Sequence, residues 1–212
     1  DFPEAWMFET GRDKWRKFNQ WPPAGELVSL YLGEDFILEL DAPDNEKAAW
    51  DEYPCDPTKP VPFTEEIDPG MTVNYMTDDQ RFASRRPDVL AFSSRALESD
   101  LTLAGPILAD LWVSTSGTAA DWVVKVIDVF PDDAPAFTGA SGERKMGGYQ
   151  MMVRSEVIRG RFRDSYQHPR PFKPDVPARV RLPLQDVLHT FKAGHRIMVQ
   201  IQSSWFPLSD LN

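Results

Sequence analysis

Nineteen prolines, against twelve glycines, are spread through this 212-residue chain, between short runs rich in Val, Ile and aromatic residues. Proline fixes φ and has no N–H, so it interrupts helix interiors and is tolerated where strands end. Such a chain favours short strands with long connections over helices. The runs themselves carry a period of two. In "HRIMVQIQSS", Ile197, Val199 and Ile201 fall on one face and Arg196, Met198, Gln200 and Gln202 on the other, which is strand spacing and not helix spacing. "DWVVKVIDVFPDDAP" (Asp121 to Pro135) is apolar on both faces, with Trp122, Val124 and Val126 on one and Val123, Ile127 and Val129 on the other. A strand of that kind lies inside a sandwich or beneath a further layer.

Other segments extend the pattern. "WMF" reads as a short strand that cannot continue past "WPP", because the residue before a proline avoids helical geometry. "LVSLYLGEDFILEL" reads as two short strands around Gly33, and "LTLAGPILADLWVSTS" as two apolar runs broken by a Gly105-Pro106 turn. "YQMMVRSEVIRGRFR" and "ARVRLPL" supply further strands. "PLQDVLHTF" (Pro183 to Phe191) is the best helix candidate. Asp41 to Gly70 holds six prolines and nine acids and reads as one long connection, a length that is often functional in a compact domain. There is no internal repeat and no low-complexity tract. The expectation is a single all-β domain over 1–212, a jelly-roll β-sandwich with few short helices. Its irregular, aromatic- and Pro-rich start covers 1–70 and its core sandwich 71–212.

The net charge of -10 argues against a nucleic-acid partner, since phosphate contacts need clustered Lys and Arg. No run approaches the roughly 18 apolar residues of a membrane span, so no membrane partner is expected either. The opening "DFPEAWMFETG" is acidic and lacks an initiator Met, and reads as a fragment or processed chain without a signal peptide. The lone Cys55 excludes an internal disulfide and reads as a thiol in a Pro-rich loop.

Chemistry-bearing residues gather near the end. His189 and His195 lie between Asp186 and the pair Ser203-Ser204. A serine triad is nevertheless not the reading. A G-x-S-x-G turn is absent, the serines follow a regular strand, and closeness in sequence says nothing about a triad that assembles in space. "AGHRI" reads as a tight glycine turn with His195 and Arg196 hydrogen-bonding at a strand entrance. No zinc spacing connects His168, His189 and His195, and the acid pairs Asp78-Asp79 and Asp132-Asp133 fit no calcium loop. No metal or cofactor is expected. Trp6, Trp15, Trp21 and Trp50 crowd the irregular start. They serve either as stacking platforms for a sugar or as surface buried against another domain or subunit.

Several long stretches also resemble one family. "RRPDVLAFSSRALESDLTLAGPILADLWVSTSGTAADWVVKVIDVFPDDAP" carries Arg86 to Leu90, Leu97 to Asp100, Gly105-Pro106, and a strand running from Asp121 to Pro131. With the closing "FKAGHRIMVQIQSSWFP", it is similar to the C-terminal domain of the X-Pro dipeptidyl-peptidase and cocaine-esterase group of serine hydrolases. "MTDDQRFASRRPDVL", "GGYQMMVRSEVIRGRFR" and "VQIQSSWFPL" resemble, more narrowly, the α-amino acid ester hydrolases, or glutaryl-cephalosporin acylases. One departure stands out: "PLSDLN" has Leu211 where the family has Arg, and the family's closing strands are missing, which predicts an open sheet edge.

The resemblance implies a galactose-binding-like jelly roll joined in the whole protein to an α/β-hydrolase domain. The triad, and the carboxylates that hold the substrate's α-ammonium, lie upstream, so no catalytic residue is assigned to this chain. The implied function is that of a non-catalytic domain of a serine acyl hydrolase. That enzyme takes α-amino acid esters and β-lactam amides through an acyl-enzyme. Its implied partners are the catalytic domain, the small-molecule substrate and possible further copies of itself. The implied location is periplasmic or secreted. The segment from Met71 to Phe82 is the candidate pocket rim, through Tyr75, Met76, Asp79 and Gln80, or else it only packs between domains. Two other readings stand beside this one: a stand-alone carbohydrate-binding jelly roll, and an independent enzyme using His195.

Overall fold

The computed structural model describes residues 2–43, 49–66, 70, 72–139 and 142–211. Met71, at the start of the candidate rim, lies outside the described residues. In chain order the strands are β1 (Ala5–Glu9), β2 (Lys14–Phe18), β3 (Tyr31–Leu32), β4 (Leu38–Glu39), β5 (Val89–Ser93) and β6 (Leu101–Val113). They continue with β7 (Asp121–Val129), β8 (Phe137–Gly139), β9 (Gly142–Arg144), β10 (Gln150–Arg159), β11 (Ala178–Phe191) and β12 (Arg196–Gln202). The α-helix among the described residues is α1, four residues from Arg81 to Ser84.

A four-stranded antiparallel sheet in the order β10-β7-β12-β5 faces a two-stranded sheet, β11-β6. The core lies between them. Phe92, Trp122, Val124, Val126, Ile158, Ile197 and Ile201 meet Val180, Leu182, Leu184 and Phe191, all under a tenth exposed. Burying each such side chain contributes roughly 1.5–3 kcal/mol. The period-two reading of the last strand holds here: Ile197 and Ile201 are in the core cluster, while Gln200 and Gln202 lie on the opposite face.

That opposite face is also covered. Phe63, Tyr75, Trp205 and Leu208 pack on Val123, Met152 and Val157, and Val61 packs with Ala83 and Val89. The sheet is therefore buried on both sides, which is why β7 is apolar on both faces.

Two local expectations are corrected. Pro183 to Phe191 is the second half of a fourteen-residue strand, not a helix. Its early burial alternates, and its last five residues are all buried, so long-range pairing with β6 outweighs the local apolar spacing. Gly105-Pro106 is no turn either. β6 runs straight through it, opposite a register shift between Leu184 and Val187. Gly105 takes φ +116, and a Cβ there would lie 2.8 Å from Pro22. The pair marks a bulge at an edge strand, where a proline costs no ladder bond.

Candidate functional site

Three places gather chemistry-bearing side chains. The first lies at one end of the sandwich, where Asp128, at the end of β7, is 1% exposed. Its Oδ1 is 2.8 Å from His195 Nδ1 and its Oδ2 is 3.2 Å from His189 Nε2. On the far side of the His189 ring, Nδ1 is 2.8 Å from Thr10 Oγ1. An ionised carboxylate only accepts, so His189 faces Asp128 with its Nε2–H, while the Thr10 hydroxyl lies between His189 Nδ1 and the Leu188 carbonyl oxygen, 3.3 Å away.

The row hydroxyl–imidazole–carboxylate has the composition of a triad and not the setting of one. Phe191 packs edge-on against His189 at 4.6 Å, and Phe130 lies against His195 at 4.5 Å. The His189 and Asp128 side chains are at most 3% exposed, so no substrate reaches them. What they do is structural: Thr10 belongs to the bend after β1, and the relay pins that hairpin to both sheets. A second chain of bonds runs beside it. Thr102 donates to Thr190 at 2.7 Å and Thr190 to Glu9 at 2.6 Å. Arg16 completes it, 3.1 Å from the fully buried Glu9. Burial by itself would raise the Glu9 carboxyl, but the bonds from Thr190 and Arg16 outweigh it and hold the group below its usual range.

The candidate nucleophiles are likewise spent on structure. Ser203 Oγ is 2.7 Å from the Tyr53 hydroxyl, and Ser204 Oγ accepts the Val61 N–H at 2.9 Å. Burial pushes the Tyr53 phenol up to about 12. The "AGHRI" reading holds: Gly194 takes φ +85, and Arg196 donates to the Ser94 carbonyl at 3.1 Å. Cys55 lies at the surface, but partial desolvation of its thiol, and then the neighbouring Asp88, raise its pKa, opposite to what a thiolate nucleophile needs. An open groove of about 390 Å³ lies between Asp35, Phe36, Ile37, Ser93, Ser94, Arg95 and Arg196. It holds no nucleophile–base pair.

The second place is the outer face of the four-stranded sheet, under the candidate rim. Lys125, in the middle of β7, is fully buried. Its Nζ donates to Gln80 Oε1 at 3.0 Å and lies 4.9 Å from the centre of the Trp205 ring. No carboxylate answers it among the described residues, and desolvation lowers its pKa to about 7. Gln80, Gln150, Gln200 and Gln202 complete a buried polar layer around it. The sequence signal for Lys125 was present, since a charge inside a strand apolar on both faces has nowhere to be exposed. Asp128, in the same strand, carried the same signal of burial, but its partners, 61 and 67 positions away, had none.

The third place is the rim itself, which the structure brings together on one side of the sheet. Tyr75 is half-buried, 5.6 Å from both Phe63 and Trp205. Met76 is 49% exposed. Asp79 accepts from the Arg81 and Gln150 amides at 3.1 and 3.2 Å and from Arg81 Nε at 2.6 Å. Gln80 is fully buried, and its carboxamide is turned inward onto Lys125. Of the four, then, Met76 is offered outward, Tyr75 and Asp79 stand at the margin, and Gln80 supports the segment from beneath.

In this two-layer β-sandwich Ser203, Ser204, His189 and His195 all serve internal bonds. Residues 3–212 match the X-Pro dipeptidyl-peptidase C-terminal non-catalytic domain, and the chain belongs to that family. Among solved structures it is similar to an aminopeptidase from a marine-sediment Thaumarchaeota archaeon, at 42% identity and TM-score 0.90 over all of this chain and 34% of that one. It is also similar to an α-amino acid ester hydrolase, at 39% identity and TM-score 0.88 over all of this chain and 35% of that one. The cocaine esterase of Rhodococcus sp. (strain MB1 Bresler) is 29% identical over 99% of this chain and 35% of its own length. The chain thus spans about a third of the length of the relatives it matches.

Proposed function

We propose that this chain is the accessory β-sandwich of a serine acyl hydrolase acting on α-amino acid esters and β-lactam amides. It packs on the α/β-hydrolase domain of the same polypeptide and walls its pocket with the segment around Asn74–Met76. The observation that carries the reading is full-length similarity to an α-amino acid ester hydrolase, with the matched region forming only 35% of that enzyme. In such chemistry a serine attacks the carbonyl, amide donors hold the oxyanion, and water or an amine resolves the acyl-enzyme. The contribution of this domain is to shape and dry the pocket.

The ordered rim supports that role. Thr77 N–H bonds to Asn74 O at 2.8 Å, and the Tyr149 hydroxyl donates to Thr77 O at 2.5 Å. Met76 is therefore presented from a fixed turn. The test uses the full-length enzyme. A methyl ester of an α-amino acid should be cleaved at least tenfold faster than the same ester without its α-amine. Met76→Ala and Tyr75→Ala should change the ratio of the two kcat/KM values while protein yield holds. Equal rates on both esters would remove the substrate class, and unchanged ratios in both variants would remove the pocket role.

A further inference from the structure

The β1–β2 hairpin carries an aromatic face that the sandwich does not use. Its register pairs Trp6 with Lys17 and Phe8 with Trp15, so these four side chains share one side of the ribbon. Trp6, Phe8 and Trp15 are 59%, 41% and 64% exposed. Together they offer on the order of 400 Å² of apolar surface, within the range of patches that mark interaction sites. The opposite side faces the body, through buried Glu9 and Phe18.

The hairpin is not a loose arm. Thr10 N–H bonds to Leu188 O at 3.2 Å, and Thr190 N–H to Thr10 O at 2.9 Å. The Asp128–His189–Thr10 relay and the buried Glu9 cluster lock it from below. The exposed rings are also ordered. Trp15 meets Trp6 at 5.9 Å and 70°, and Phe8 at 5.6 Å and 67°, while Lys17 Nζ sits 4.6 Å from the Trp6 ring centre. Rings set edge to face form a ridge of knobs. They do not form the common plane that a sugar platform requires.

We propose that this ridge is the surface by which the domain docks onto the preceding, larger part of its own polypeptide. Its counterpart there is an apolar groove rimmed by carboxylates. This rests on the reading of the chain as the C-terminal part of a hydrolase, and it adds which face is covered. Two observations name the occupant. The relatives that match all of this chain are about three times its matched length, so most of each relative's polypeptide lies outside the matched domain and has to meet it somewhere. The hairpin also reverses the charge of a chain at net -10: Lys17, on the ridge side, has no ion-pair partner among the described residues, whereas Arg12 and Arg16 are both held by Glu9. An ordered, exposed aromatic ridge has the composition of an interface anchor, and Lys17 at its edge favours a carboxylate on the partner surface.

The experiment is oxidative footprinting of the full-length protein at concentrations where it is monomeric. Tyr166 and Trp50, 83% and 80% exposed, serve as references. Trp6 and Trp15 should oxidise at least tenfold more slowly than Trp50. In full-length Trp6→Ser/Trp15→Ser protein, a single thermal transition should split into two. Oxidation of Trp6 and Trp15 at the reference rate would overturn the proposal. So would protection that appears only in an oligomer, which would assign the ridge to a second copy, or saturable glycan binding that protects both rings. None of these readouts depends on ester hydrolysis, so docking and substrate class fail separately.

Discussion

Lys125 offers a quantitative prediction. In the folded chain its amine is buried with one neutral acceptor, Gln80 Oε1, and titrates near 7. In the unfolded chain it returns to about 10.5. The folded-state pKa is depressed, so between the two values the unfolded chain binds a proton that the folded chain refuses. Stability must therefore rise with pH across that window, at about 1.4 kcal/mol per pH unit. The whole window amounts to about 5 kcal/mol, and pH 7.5 to 9.5 to somewhat under 3 kcal/mol. Below pH 7 both states are protonated and the penalty is constant. Lys125→Met keeps the apolar stem and removes the titration. Every other group titrates alike in both proteins, so the difference between their unfolding free energies isolates this amine. Urea unfolding of the two chains, followed by tryptophan fluorescence at half-unit pH steps with matched m-values, measures it. The wild-type chain should gain on the variant by about 2–3 kcal/mol from pH 7.5 to 9.5. Parallel profiles over that range would show that Lys125 is solvated or paired in the folded state, and the buried polar layer would have to be redrawn.

Glu9→Gln should cost about 2–3 kcal/mol at pH 7, since it removes the charged partner of Thr190 and Arg16. Because the folded Glu9 pKa is lowered, its contribution is complete above the unfolded value and fades as pH falls through the folded one. The gap between wild-type and variant melting temperatures should therefore narrow at pH 3, and a gap that widens there would reverse the assigned sign. Gly11→Ala should free the hairpin, because Gly11 takes φ +79 and a Cβ would stand 2.0 Å from the Thr190 carbonyl oxygen. Faster hydrogen exchange at the Thr10 and Thr190 amides, with β7 and β12 unchanged, is the expected result. Uniform exchange across the chain would mean that the hairpin is not a separable element.

The parts of the fold that could be read from sequence are those where side-chain period and burial coincide. β12 alternates in sequence and in the structure, and β7 is apolar on both faces because a second layer covers the sheet. Pro183 to Phe191 misled because a short apolar run has no period of its own, and pairing with a distant strand decides its state. Gly105-Pro106 misled because the same dipeptide serves a turn and a bulge. In the rim, exposure of Met76 and burial of Gln80 could not be told apart from sequence. That difference depends on Lys125, 45 positions further on, which draws the carboxamide inward. The family resemblance, carried by long ordered motifs, reached further than any single residue pattern.

The central claim is that this domain is the non-catalytic part of its protein. Ser203 and Ser204 are bonded to Tyr53 and Val61, and His189 and His195 to Asp128. The direct measurement is fluorophosphonate labelling of the full-length protein, followed by peptide mapping of the modified serine. If the proposed serine hydrolase reading holds, one labelled serine should be found outside the 212 residues numbered here, and none within them. A phosphonate adduct on Ser203, Ser204 or any other residue numbered here would contradict the claim outright.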